Sequence, residues 1–122
     1  MTIDNNPKTQ VASTKQTLSY VPTVGLFALG AAMQDGGKKY GRFNWRDTSV
    51  TSSVFYDAIQ RHLTAWFNGE DHAQDSKVHH LGHIMASCAI LLDADLNKVL
   101  NDDRDKREPR AIEWSDYKKE SL

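Results

Sequence analysis

His79, His80 and His83 fall within VHHLGHIM (78–85), three imidazoles in a stretch of five residues at the head of an apolar run. On a helix, His79 and His83 are spaced i,i+4, and His80 and His83 are spaced i,i+3, so either pair can reach one point. Imidazoles so placed can ligate a divalent ion, exchange protons near neutral pH, or hydrogen-bond to each other inside a core. A pair alone leaves a metal two donors short, and Glu70, Asp71, Asp57, His62 and Asp93 are the candidates to complete it. On residue type and spacing all these readings stand, as does plain solvent exposure.

A second signal is GGKKYGRFNWRD (36–47), where lysines, arginines and aromatics interleave with three glycines. Cations such as Lys38, Lys39 and Arg42 beside open backbone N–H groups suit phosphate. Tyr40, Phe43 or Trp45 could cover the face of a base. The order of a Walker loop is missing. The plainer alternative is a solvated turn whose aromatics pack onto the body of the protein.

Glu70-Asp71 follows Gly69 at the end of a helical pattern, where the macrodipole disfavours carboxylates. A compensating cation is expected there, either a divalent ion with oxygen ligands or Arg61. Arg61 can pair with Asp57 one turn back on the surface, or clamp a phosphate if its face lines a cleft.

These residues need elements to hold them. Residues 1–20 are polar with little periodicity and read as an extended segment. Pro22 starts a helical pattern over 23–35, with apolar residues at 24, 26, 27, 29 and 33, ended by Gly36-Gly37. Thr51 or Ser52 caps a second helix, about 53–68, whose stripe is Phe55, Ile59, Leu63 and Trp66, with His62 at its edge. After the polar loop 69–77, Ser76 can cap a third helix to about residue 96. Its apolar residues lie on two sides, as in a central bundle helix. Residues 105–122 are charge-dense and read as a surface arm, with Trp114 and Tyr117 spaced for a short docking helix. No segment of strand period stands out, so the fold expected is all-α: a small bundle of three to four core helices in a single domain, 1–122.

The totals narrow the function classes. A net charge of −1 over 122 residues offers no electrostatic footprint for nucleic acid or an anionic membrane. The longest apolar run, Ala89 to Leu92, is far too short to span a bilayer, and the polar N-terminus has no apolar signal core. Cys88, the only cysteine, excludes a disulfide within the chain and reads as a small buried hydrophobe. A soluble cytoplasmic protein is the expectation.

Taken together, NPK (6–8), Lys15, GGKKYGRFNWRD, YDAIQRHLTAWFNGED, DSKVHHLGHIMASCAILLDA and NDDR (101–104) resemble the phage dATP/dGTP diphosphohydrolase-type family, a MazG-like group. The resemblance covers about residues 6–104. It implies an oligomeric all-α bundle, a dimer or tetramer, that uses Mg²⁺ or Mn²⁺ to split a purine deoxynucleoside triphosphate into monophosphate and pyrophosphate, modifying the phage nucleotide pool. Family-matching positions are Lys39, Tyr40, Asn44, Trp45, Arg61, His62, Trp66, Gly69, Glu70, His80 and His83. Glu70 and Asp71, with His80 or His83, would hold metal; Glu70, Asp71 and His62 would serve catalysis. Lys38, Lys39, Tyr40, Arg42, Asn44, Trp45, Arg61 and Trp66 would bind substrate. The chain departs from the better-known MazG pattern, having no E-x-x-E; His80-x-x-His83 stands near where E-x-x-D is expected. Imidazole in place of carboxylate shifts metal preference toward Mn²⁺, Zn²⁺ or other transition ions. The same departure supports an alternative, a nucleotide sponge that sequesters a host signalling nucleotide without turnover.

Overall fold

The computed structural model describes residues 4–107. A short helix α1 (Pro7–Ala12) and a single 3₁₀ turn (Leu18–Tyr20) precede α2 (Thr23–Tyr40), α3 (Asn44–Asp47), β1 (Val50–Thr51), α4 (Ser52–Phe67), α5 (His80–Leu96) and β2 (Leu100–Asn101). The protein is mainly helical, and α2 and α4 both pack on α5, the central helix. The expected arm 105–122 falls largely outside the described residues.

The N-terminal segment is less extended than its composition suggests. Asn6 caps α1 by accepting from the Lys8 N–H at 2.9 Å, and Pro7 takes the first helical position, where its missing N–H costs nothing.

Helix α2 differs more. It runs through Gly36-Gly37 and stops at Gly41, whose φ of 101° only glycine adopts freely. An Asp35–Lys39 ion pair of 3.1 Å at i,i+4 spans the two glycines, and Lys38 and Lys39 in the last turn complement the dipole. The cationic stretch is therefore a helix end followed by the one-turn α3, not a loop.

Helix α4 matches the expected span. Thr51 makes no side-chain cap; instead the Ser53 N–H donates to Asp103 Oδ1 at 2.9 Å, so the cap comes from fifty residues away. The parallel bridge of β1 and β2, pairing Val50 with Leu100 and Thr51 with Asn101, brings that segment alongside. Two-residue strands leave no alternation for a sequence to display.

Helix α5 begins at His80, three residues later than Ser76 capping would give. His79 is its N-cap, its Nδ1 accepting from the Leu81 N–H at 3.0 Å. Gly82 lets α5 approach α2 closely, for a Cβ there would meet the Ala28 carbonyl oxygen at 2.6 Å. Among the described residues the buried apolar positions are small: Ala32, Val50, Ala73, Ala86 and Ala94. Cys88, expected to be buried, is exposed.

Candidate functional site

Two local motifs bring the acid and the imidazoles together. Helix α4 ends in a paired-bond C-cap: the Gly69 N–H donates to Trp66 O and the Glu70 N–H to Ala65 O, each at 3.0 Å, with Gly69 at φ 102°. The loop then doubles back, His72 bridging His79, and the His80 N–H donates to the Asp71 carbonyl at 2.8 Å. Glu70 is thereby set against the first turn of α5.

The result is a chain of contacts. Glu70 Oε1 lies 2.6 Å from His80 Nε2, and His80 Nδ1 lies 2.8 Å from His62 Nδ1. The His62 ring stacks on His83, centroids 4.6 Å apart, and His83 Nε2 is 2.8 Å from Ser76 Oγ. His80 is 5% exposed, the most enclosed ionisable group of the set. The compensation expected for Glu70 comes from the His80 ring and from the Gln74 amide at 3.2 Å. Among the described residues Arg61 makes no ion pair, with Asp57 or with Glu70.

His62 and His83 open onto a cavity of about 310 Å³ shared by α2, α3, α4 and α5. Lys39, Tyr40, Asn44 and Trp45 line its other side. Lys39 Nζ reaches Asp35 at 3.1 Å and Asp75 at 3.6 Å, so one cation sits between two carboxylates. A larger apolar hollow of about 450 Å³ lies elsewhere, against Tyr56, Ile59, Leu91 and Leu92. It lacks histidine and lysine, and the smaller cavity is where the chemistry converges.

The electrostatics follow from this packing. Burial lowers the affinity of His62 for a proton, and the neighbouring His83 and His80 lower it further. Burial also depresses His83, against the pull of Asp35 and Asp75 in the other direction. The hydrogen bond from His80 holds Glu70 below the usual carboxylate range, and the one to Asp35 raises Lys39.

Of the residues singled out in the sequence, Lys39, Tyr40, Asn44, Trp45, His62 and His83 meet at the cavity. Glu70, His80 and Arg61 lie with His62 at a shallow cleft behind it. Lys38 and Arg42 line a separate groove beside Phe43, with the Arg42 guanidinium 5.0 Å from the Phe43 ring centre. Trp66 and Asp71 do not line the cavity, and Asp71 contributes its backbone carbonyl. Asp93, a candidate donor, is held by Arg46 through contacts of 2.9 and 3.2 Å. Asp35, Asp75 and Ser76 belong to the site and were not singled out as part of it. The i,i+4 spacing of Asp35 and Lys39 is the sequence signal for the first, and it is readable only because the helix continues through Gly36-Gly37.

The donor set named for metal does not fit a resident ion as placed. Both ring nitrogens of His80 are engaged, by Glu70 and His62, and His83 Nε2 is engaged by Ser76. Among the described residues no three His, Cys, Asp or Glu side chains form a metal-holding group. Nor is any helix among them long and apolar enough to cross a membrane.

Comparison with known proteins gives the family. A protein of Salmonella phage PMBT28 named dATP/dGTP diphosphohydrolase is 29% identical over 69 residues, which are 57% of this chain and 23% of that relative. The chain thus matches under a quarter of the length of that curated relative. No solved structure matches it. The family described as dATP/dGTP diphosphohydrolase, N-terminal, matches residues 5–104, and the chain belongs to that family.

Proposed function

We propose that the cavity binds a purine deoxynucleoside triphosphate, dATP or dGTP, and hydrolyses it to the monophosphate and pyrophosphate. One observation carries this reading: Lys39, Trp45 and the stacked rings of His62 and His83 line a single cavity. A cation, an aromatic face and a titratable nitrogen within one enclosure are what a nucleotide phosphate and an attacking water require. The relative's name supports the substrate class.

The nucleotide would enter as its Mg²⁺ or Mn²⁺ complex. Asp35 and Asp75 together outweigh Lys39 in charge, so a bare triphosphate would be repelled, whereas one carrying a divalent ion presents positive charge to them. Trp45 or Tyr40 would cover the purine, and Asn44 would bond its edge. Lys39 would offset charge on the phosphates. His62 would take a proton from the water that attacks phosphorus as the bond to pyrophosphate breaks.

Incubating the protein with each dNTP and Mg²⁺ or Mn²⁺ tests this. Pyrophosphate in multiple excess over protein, greatest with dATP and dGTP and lost in His62→Asn, is the expected result; no excess with any nucleotide would contradict it. A second reading, binding without turnover as a sponge for a host signalling nucleotide, draws support from the matched share of the phage relative: 23% of its length leaves room for its hydrolytic centre elsewhere. Saturable binding with no pyrophosphate would favour it.

The same reading makes the protein a homo-oligomer, dimer or tetramer. It is supported by Phe27, Phe67, Leu92 and Leu96, large apolar side chains each 69–82% exposed that a second copy would cover. Light scattering after gel filtration should return two or four times 13.8 kDa, and 13.8 kDa itself would contradict it.

A further inference from the structure

We propose that the open side of α4 and α5 is the face on which a second copy of this chain docks, the two copies forming one four-helix bundle. This rests on the oligomeric reading above and goes beyond it by naming the surface. Tyr56, Ile59, Leu63 and Phe67 are spaced i,i+3,i+7,i+11 on α4 and so form one stripe. Cys88, Leu92 and Leu96 form a stripe on α5, spaced i,i+4,i+8. The two stripes adjoin, for Tyr56 and Ile59 line the hollow of about 450 Å³ together with Leu91 and Leu92. Within one copy Tyr56, Leu63, Phe67, Leu92 and Leu96 are 39–82% exposed, and Cys88 is exposed with them.

Helix α5 is apolar on two sides, the pattern of a helix enclosed in a bundle. Ala86 and Ile90, on one side, line the cavity shared with α2 and α4, whereas Cys88 and Leu92, on the other, face solvent. One copy therefore supplies cover for half of this helix, and a second two-helix layer supplies the rest. The exposure of Cys88 within one copy, at odds with its apolar sequence context, follows from the same arrangement. The rim of the hollow selects a copy of this chain over other occupants. No lysine lines it, so it does not suit an anionic surface, and its charged groups are of both signs: Asp95, Asp103 and Arg104. Asp95 makes no ion pair among the described residues. A two-fold axis lays one patch against itself, so a rim carrying both signs can set acid against base twice. A strongly acidic or strongly basic partner would meet a like charge there.

Light scattering after gel filtration, joined to maleimide labelling of Cys88, tests the face in the full chain without nucleotide. The double variant Leu92→Glu/Leu96→Glu puts carboxylates where one copy already leaves side chains in water, so its helix content by circular dichroism should match the wild type. Its mass should fall to half that of the wild type or less. Cys88, the only thiol, should react about tenfold faster in it, since its cover is gone. Tyr56→Glu, on the other helix of the face, should act in the same way. Variants that keep the wild-type mass overturn the face, as does a Cys88 that reacts at one rate in wild type and variants. A wild type of one-copy mass overturns the oligomeric reading and the face with it. Pyrophosphate release from dATP tests the catalytic reading separately, so these failures are told apart.

Discussion

Gly82 and Ala28 hold α5 against α2 so closely that a Cβ on Gly82 would lie 2.6 Å from the Ala28 oxygen and 3.0 Å from its carbonyl carbon. The atoms in the way are backbone, which cannot step aside. This contact fixes the distance between the helix that carries Lys39 and the helix that carries His83. Gly82→Ala should cost about 1–3 kcal/mol, as overpacking does, read as a lower denaturant midpoint. Gly30, exposed in α2 with nothing within 4 Å of a Cβ, is the control. Gly30→Ala should stabilise by about 0.5–1 kcal/mol through helix propensity.

Asp103 caps α4 from beyond the end of α5, bonding both the N–H and the hydroxyl of Ser53. Asp103→Ala should lower the thermal midpoint, and Asp103→Asn, which can still accept, should recover part of the loss. Equal midpoints for the alanine variant and the wild type would show that the cap is idle.

Some of this was legible in the sequence and some was not. The period of Phe55 and Ile59 marked α4, Gly69 marked its end, and the two-sided apolar pattern marked α5 as central, because those signals depend only on near neighbours. The distant Asp103 cap and the two-residue β1–β2 bridge depend on partners fifty residues apart, which no local pattern encodes. The Gly36-Gly37 pair misled: glycine permits a helix end without requiring one, and the Asp35–Lys39 pair carries the helix across. Ser76 looked like a cap and serves His83 instead, while His79 caps α5.

Burial depresses both His62 and His83, which sets the sign of the pH response. In the unfolded chain these rings take up protons below about pH 6.5, while the native protein resists doing so. The unfolded state binds more protons there, so stability rises with pH through that window and falls as the solution is acidified. The thermal midpoint should therefore decline from about pH 6.5 downward, and the double variant His62→Asn/His83→Asn should decline less. Parallel curves would remove the two rings as the cause.

Lys39 and its neighbour Lys38 separate the cavity from its surroundings. Lys39 faces Asp35 and Asp75 inside the cavity, while Lys38 lines the groove beside Arg42. Removing the first charge should weaken nucleotide binding by roughly tenfold or more, the loss expected for a charge-assisted contact. Removing the second should leave affinity within about twofold, since an exposed charge outside the site acts only through screened attraction.

The most direct measurement is calorimetric titration of dATP with Mg²⁺ into the full chain and into Lys39→Ala and Lys38→Ala. Saturable binding by the wild type, matched by Lys38→Ala and lost or much weakened in Lys39→Ala, is the predicted result. Absence of binding to the wild type, or equal affinity in Lys39→Ala, would contradict the placement of a purine nucleotide in this cavity.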